Sequence, residues 1–443
     1  MQYTVLIIDD EKKICSLLAR IIELEGFKVF QAHTGKEGLK LLAAQDIYVV
    51  ISDVKLPDIN GVELVKEIKK IKPYAEVINL TAFGTIQDGV MAMRNGAFDY
   101  ITKGDDNDKI IPLVYKAMDK AKLQFRVNEL ENKVVKKYSF SAILGQSKAL
   151  RDAVDLAQKV SVTDTTVLLL GETGTGKEVF AQSIHYESPR KLKPFVAVNC
   201  SGFNHELLES ELFGHKEGAF TGAVKDKKGL LEEANDGTIF LDEIGEMDLD
   251  LQSKLLRVLE NQTFIKVGDT QTSKVNVRII AATNRDLKKE AETGKFRLDL
   301  YYRLSVFSIE LPPLSQRKTD ILTIAKYYLK EFAAKVNKPE FVMDDGFSEL
   351  LLKHSWKGNI RELKNVMERV VILADGNLVT ANLLPYEFHT DTQESDSLSM
   401  EAMERQHINK VLKHTRGNKT ETARLLEIGL TTLYRKMEEY KIS

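Results

Sequence analysis

Between Thr166 and Phe180 an apolar run, Val167-Leu168-Leu169-Leu170, meets Gly171-Glu172-Thr173-Gly174-Thr175-Gly176-Lys177-Glu178. Strand, glycine-rich loop and helix in that order make a cradle for a polyphosphate. The glycines let successive backbone N–H groups turn toward one centre, Lys177 supplies a point charge for β- and γ-phosphates, and the helix aims its positive end at them. Glu178 stands where a Ser or Thr would ligate Mg2+, so the metal must be met through water or by another acid. That acid follows at Asp242-Glu243, which closes the buried-strand run Gly237-Thr238-Ile239-Phe240-Leu241. The first carboxylate would hold Mg2+ and the second polarise the attacking water. Together these residues predict ATP hydrolysis.

A second acidic constellation lies near the N-terminus. Val5-Leu6-Ile7-Ile8 stops at Asp9-Asp10, Tyr48-Val49-Val50-Ile51-Ser52 stops at Asp53, and Lys12 to Leu24 between them has helical periodicity. Strand-helix-strand implies parallel strands whose C-terminal ends share one edge, so the three acids converge. Three carboxylates repel unless a cation sits among them, which makes this a Mg2+ site. The next two strands end at Thr81 and Lys103, a hydroxyl and an ammonium able to grip phosphoryl oxygens on Asp53. These residues resemble the receiver domain of two-component response regulators over about 120 positions. The resemblance implies that a sensor histidine kinase phosphorylates Asp53, that Asp9 and Asp10 bind Mg2+, that Lys103 pairs with the phosphoryl group, and that Thr81 with Tyr100 forms a switch. Gly104 departs from the proline usual there, and Asp105, Asp106 and Asp108 read as a solvated helix start.

From Ile110 to Val134 apolar residues recur every three or four, so the last helix of this region runs on. Leu123, Val127, Leu130 and Val134 form a short seam that suits either a contact between protomers or packing on the helix's own domain.

The central segment alternates strands and helices: Phe195-Val196-Ala197-Val198-Asn199, the Asp242 strand, and Val277-Arg278-Ile279-Ile280-Ala281-Ala282-Thr283-Asn284 join the phosphate loop in a parallel sheet. Asn199 at one strand end can hold Glu243 off the water, and Thr283 with Asn284 stands where a γ-phosphate sensor would. Arg297 and Arg303 lie six apart on a predicted helix and its end, suited to reach a neighbouring subunit's nucleotide. Arg361 starts a lid helix and can reach the phosphates. Gly218-Ala219-Phe220-Thr221-Gly222-Ala223 is small and flexible around one aromatic, either a contact loop or a turn with its Phe buried. At this loop, at Glu178, at the two arginines and at the Trp-x-Gly-Asn-x-Arg-Glu-Leu string from Trp356 to Leu363, the chain resembles the AAA+ domain of NtrC-type bacterial enhancer-binding activators. That resemblance implies a homo-oligomer, dimer to hexameric ring, with ATP at subunit boundaries, and a Phe220-Thr221 loop that engages sigma-54 on RNA polymerase holoenzyme. Lys357 replaces the family's usual proline.

Near the C-terminus, Met403, Ile408, Val411 and Leu412 mark one helix, Thr420 to Leu426 a second, and Thr431 to Tyr440 a third after Gly429. From Glu401 onward nine Lys or Arg stand against six Asp or Glu. Two short helices with a glycine in the turn predict a helix-turn-helix, with Thr431, Thr432, Arg435 and Lys436 meeting bases and phosphates. Gly417-Asn418-Lys419 through Leu433-Tyr434-Arg435-Lys436 resembles the Fis-type domain that ends such activators, although Glu427 and Gly429 stand where Gly and Ser are usual. Pairing of such domains implies a palindromic enhancer DNA site.

Length and composition bound these readings. At about 150 residues each, a chain of 443 residues accommodates three domains. A net charge of −2 excludes a whole-chain electrostatic case for nucleic acid, so that case must be local. Cys15 and Cys200 are the only cysteines, far apart, which excludes a disulfide framework or zinc spacing and fits a reducing compartment. With no signal pattern and no apolar run of about 18 residues, the expectation is a cytoplasmic protein without membrane contact. The predicted fold class is α/β: a doubly wound receiver domain, 1–120; a helical linker, 121–140; an AAA+ domain, 141–385, with a helical lid from about 313; a polar linker, 386–399; and an all-α helix-turn-helix, 400–443. An AAA+ remodeller of proteins with a DNA tether is a competing reading, disfavoured because Phe220 is framed by Gly, Ala and Thr. A DNA-binding regulator with a decayed ATPase is disfavoured by intact Lys177, Asp242, Glu243, Arg297 and Arg303.

Overall fold

The computed structural model describes residues 3–82, 86–103, 107–202, 204–389, 400–415, 417–440 and 442. Gly104, Asp105, Asp106 and the polar stretch from Thr390 to Ser399 lie outside the described residues. The chain falls into two compact units, Met1–Ala142 and Ile143–Ser443.

The first unit runs β1 (Thr4–Ile8), α1 (Lys12–Leu24), β2 (Lys28–Ala32), α2 (Gly35–Ala44), β3 (Val49–Asp53), α3 (Gly61–Ile71), β4 (Glu76–Thr81), α4 (Ile86–Arg94), β5 (Asp99–Thr102) and α5 (Asn107–Lys137). Its sheet has the order β2-β1-β3-β4-β5 and is parallel throughout. Alternate residues of each strand enter opposite cores: Val5, Ile7 and Ile51 pack with α1 and α5 residues, while Leu6, Ile8 and Val50 pack with residues of α2 and α3. That two-sided burial is why the strands read as continuous apolar runs. Parallel crossovers bring Asp9, Asp53, Thr81 and Lys103 to one edge. Along α5, Leu123, Val127, Leu130 and Val134 are exposed, whereas Phe125 packs edge-on against Tyr48 and Tyr74. The seam is thus not spent on the helix's own domain.

The second unit continues with α6 (Lys148–Ser161), β6 (Val167–Leu170), α7 (Lys177–Tyr186), β7 (Phe195–Asn199), α8 (His205–Phe213), β8 (Gly214–His215), β9 (Lys227–Lys228), α9 (Leu230–Glu233), β10 (Thr238–Asp242), α10 (Leu249–Asn261), β11 (Thr263–Ile265), β12 (Thr272–Lys274), β13 (Arg278–Thr283), α11 (Leu287–Glu292), α12 (Leu298–Leu304) and β14 (Phe307–Glu310). A parallel sheet in the order β14-β6-β13-β10-β7 forms its centre. Next come α13 (Lys318–Lys335), β15 (Val342–Met343), α14 (Asp345–Lys353), α15 (Asn359–Leu373) and β16 (Leu378–Val379), which enclose a separate core around Trp356, Phe347 and Met367. Finally α16 (Met400–His414), α17 (Lys419–Leu425) and α18 (Leu430–Glu439) pack around Ile408, Ala423, Leu433 and Met437. The last two helices each start one residue earlier than the apolar spacing predicts. For α17 the reason is its N-cap, since the Asn418 side chain accepts a hydrogen bond from the Glu421 N–H. Among the described residues no helix is long and apolar enough to cross a membrane.

Candidate functional site

At the edge of the first sheet, carboxylate oxygens of Asp9, Asp10 and Asp53 lie within 4.8 Å of one another, with Asp9 and Asp53 buried and Asp10 exposed. Lys103 Nζ bridges two of them, 2.8 Å from Asp9 Oδ2 and 2.9 Å from Asp53 Oδ2. Burial works against the ammonium, but hydrogen bonds to Asp53 and Asp9 and their charges outweigh it and raise its pKa. Three hard oxygen donors around one small centre fit Mg2+. Tyr100 turns its hydroxyl out of solvent toward the Thr81 side chain, and burial raises the phenol's pKa. Its ring packs over Gly89 of α4. The pocket therefore joins an acid cluster, a bridging cation and a hydroxyl that contacts a half-buried phenol.

In the second unit the strand register sets the chemistry. Thr283 of β13 pairs with Leu170 of β6, and Asp242 of β10 pairs with Asn199 of β7, so the phosphate loop and three polar strand ends share an edge. Gly171, Gly174 and Gly176 have φ of 154°, 80° and 103°. At Gly174 a Cβ would lie 2.3 Å from the Gly358 carbonyl oxygen, so no other residue fits. Lys177 Nζ donates to the Gly171 and Glu172 carbonyls at 2.8 and 3.1 Å. Burial lowers its pKa, against the pull of the Asp242 and Glu243 charges. Burial likewise raises that of Asp242, which accepts the Glu243 N–H at 3.0 Å. Glu243 itself sits at φ 53°, a left-handed backbone that costs on the order of 1 kcal/mol for a glutamate and holds its side chain off the strand direction.

The remaining residues named from the sequence divide. Asn284 Nδ2 donates to Thr173 Oγ1 at 3.3 Å, bringing that position onto the loop. Thr283 Oγ1 accepts the Arg285 N–H. The Asn199 carboxamide oxygen accepts hydrogen bonds from the Ser201 N–H and hydroxyl at 2.9 and 2.8 Å, and so is turned to Ser201 and not to Glu243. Thr175 Oγ1 closes the loop onto the Glu172 carbonyl, and Glu178 is exposed beyond it. Arg297 spends its guanidinium on Asp299 and on Ser253 Oγ, and Arg303 is exposed on α12. The charge of Arg361, on the first turn of α15, is felt at both Lys177 and Asp242.

One residue of the site was not singled out from the sequence. Asn359, wholly buried at φ 53°, donates from Nδ2 to Glu172 Oε2 at 2.9 Å and to the Thr173 carbonyl at 3.1 Å, and its Oδ1 accepts the Leu314 N–H at 2.6 Å. Beside it the Ile360 N–H donates to the Gly174 carbonyl at 3.0 Å. The lid is thus tied directly to the phosphate loop. The Gly-Asn pair within the Trp356 to Leu363 string was the available signal.

The Gly218–Ala223 segment is closed by Gly218 N–H to the Ala223 carbonyl and Ala223 N–H to the Phe220 carbonyl. Gly268, beside the β11–β12 hairpin, supports it so closely that a Cβ there would lie 2.6 Å from Ala219 Cβ. Phe220 is 46% exposed, with its ring edge-on to His215 at 4.9 Å. A structural turn would bury that ring, so the exposure favours a contact loop; Thr221 and Gly222 beside it lie open as well.

In the three-helix module Thr431 and Arg435 are exposed on α18 and Thr432 is half-buried. Lys436 instead turns inward to Glu404 of α16 and the Tyr440 hydroxyl. Glu427 takes φ 54° where the family's usual residue is glycine.

Comparison with known proteins aligns with this geometry. Family models for a response regulator receiver domain match residues 5–115, for a sigma-54 interaction domain 143–310, for an AAA+ ATPase lid domain 315–401, and for a bacterial regulatory protein of the Fis family 399–440. The chain is 38% identical to the regulatory protein AtoC of Escherichia coli K12, across 99% of this chain and 98% of that one. It is 37% identical to the transcriptional regulatory protein ZraR of Klebsiella oxytoca, across 98% and 99%. Among solved structures, NtrX from Brucella abortus in complex with ADP and with ATP covers 100% of both chains at 32% identity with a TM-score of 0.64.

Proposed function

The chain belongs to the sigma-54-dependent response regulators of the NtrC type, two-component transcription activators built on an AAA+ ATPase, and from that footing we propose how its own residues divide the work. Asp53 is the phosphoryl acceptor: a carboxylate oxygen attacks phosphorus of a kinase phosphohistidine, the P–N bond breaks, and the imidazole nitrogen keeps the electron pair. Lys103 neutralises the new dianion while Thr81 turns to it, which releases Tyr100 and repositions α4 and β5. Bound among Asp9, Asp10 and Asp53, Mg2+ would offset the charge that accumulates there.

In the ATPase, the loop from Gly171 to Glu178 holds the phosphates, Lys177 the β- and γ-oxygens, and Asp242 the metal side of the nucleotide. Glu243 orients the attacking water, whose oxygen bonds to the γ-phosphorus as the bond to ADP breaks. Thr283, Asn284 and Arg361 sense the γ-phosphate, Asn199 modulates Glu243 after leaving Ser201, and Arg297 with Arg303 serve the neighbouring subunit of a ring. Each turnover moves the Gly218–Ala223 loop against sigma-54 in RNA polymerase holoenzyme, in the cytoplasm, while paired C-terminal modules hold a palindromic enhancer. In this division of labour the receiver would occupy 1–120, the ATPase 141–385 and the DNA reader 400–443.

The observation that carries this reading is the exposed Phe220 on a closed glycine-bounded loop, in the same unit as the phosphate cradle. Thr221→Ala tests it: promoter opening in vitro should fall more than tenfold with ATP turnover nearly unchanged. Loss of both activities together, or of neither, removes the loop assignment.

A further inference from the structure

Besides the polar residues named from the sequence, α18 exposes two apolar ones. Leu433 and Met437 are buried, while Leu430 and Tyr434, at the leading end and flank of the same apolar stripe, remain 41% and 49% exposed, next to Thr431 and Arg435. One helical turn apart, Leu430 and Tyr434 adjoin each other. Lys436 points away to Glu404 and Tyr440, and Arg424 of the preceding helix is paired with Glu421. Leu430 is the first residue of α18 and follows Gly429, a cap without a side chain to shield it. A single exposed leucine is ordinary; its place on the leading turn of the second helix of a helix-turn-helix is not, because that turn meets base edges.

Resting on the reading that α18 enters the major groove, we propose that Leu430, flanked by Tyr434, reads thymine methyl groups and so makes one position of each half-site T·A-specific. The thymine C5-methyl is the apolar group displayed in that groove, whereas guanine, cytosine and adenine offer hydrogen-bonding atoms there. Leucine gains by covering a methyl and loses by desolvating a cytosine amino group that it cannot satisfy. Charge supports a DNA occupant over a protein one. The Lys419 ammonium lies 5.1 Å from the Tyr434 ring centroid, so a cation flanks the apolar pair, and the chain from Glu401 onward carries nine Lys or Arg against six Asp or Glu.

The test uses the full chain. Binding sites are selected from a randomised duplex library, and the thymines of the selected site are replaced one at a time by deoxyuracil, which lacks only the methyl. For the native chain, one position per half-site should lose about fourfold in affinity, the worth of one buried methyl-sized group. At that position Leu430→Ala should bind thymine and uracil equally, while Leu430→Met, which keeps an apolar tip, should retain the preference. Melting temperature and ATP turnover should not change in either variant. A flat uracil scan in the native chain overturns the proposal, as does an unchanged methyl preference in Leu430→Ala. So does a loss of dimerisation in Leu430→Ala, which would make the patch a contact between copies. Failure to enrich any sequence would remove the DNA-reading assignment as well, whereas an enriched site with inert methyls removes only this inference.

Discussion

A glycine-rich loop positions phosphate only if its own backbone is held, and one amide side chain does this from 187 residues away. Replacing Asn359 by Ala leaves the buried Leu314 N–H without an acceptor and unties Glu172 and Thr173 from the lid. An unsatisfied buried donor costs about 1–3 kcal/mol, and alanine is also less at ease than asparagine at φ 53°. Urea unfolding followed at Trp356, the single tryptophan, should show that loss, and KM for ATP should rise more than kcat falls; an unchanged KM would refute the tie. The acids Asp9, Asp10, Asp53 and Asp242 were legible in the sequence because each ends an apolar run, and parallel strands bring such ends together. Asn359 was not, since its three partners, Glu172, Thr173 and Leu314, are all distant in the chain. Where Asn199 and Lys436 point was likewise hidden: Ser201 and Glu404 set those directions, and periodicity carries no information about a side chain's partner.

Among elements, α7 is the one whose placement decides whether Lys177 reaches Asp242, and its far end is pinned by His185. The imidazole Nδ1 shares a hydrogen bond of 2.9 Å with Thr238 Oγ1 at the start of β10, and the ring lies between Tyr186 and Phe195. Burial pushes its pKa down to about 4, a Lys193 backbone hydrogen bond opposing and the Arg278 and Arg190 charges assisting. The folded state therefore keeps this histidine neutral while the unfolded chain, with an ordinary value near 6.5, takes up a proton. The stabilisation is complete above pH 6.5 and is lost as pH falls toward 4, a swing on the order of 3 kcal/mol. His185→Gln should lower stability at pH 7 and flatten its decline between pH 6.5 and 4, read from urea midpoints across that range. A slope as steep as the native one would show that other groups titrate instead. The parallel, two-sided sheets followed from the alternation of apolar runs and amphipathic stretches, whereas the helical lid came from the resemblance at the Trp356 to Leu363 string. The short pairs β8–β9 and β15–β16 did not, because two residues are too few to show a period.

At the scale of the whole molecule the question is whether the chain completes its ATPase alone. Asp53→Asn should leave the receiver folded but make sedimentation insensitive to acetyl phosphate, whereas the native chain should shift to a larger species. Assembly matters for chemistry because Arg297 is committed to Asp299 and Ser253 within its own protomer, and Arg303 faces outward from α12. Neither geometry serves the Lys177 site of the same chain, so in a ring each would act across a boundary. Asp242→Asn and Arg303→Ala should each be inert alone, the first lacking the acid beside the phosphates and the second the cation for transition-state charge. Mixed in equal amounts, they should recover activity without either protein being repaired. In a head-to-tail ring of random composition, about one boundary in four joins an intact acid to an intact neighbouring arginine, so turnover should return to about a quarter of the native rate. If each protomer used its own Arg303, no mixture could contain a complete site, and turnover would stay at the level of the separate variants at every mixing ratio.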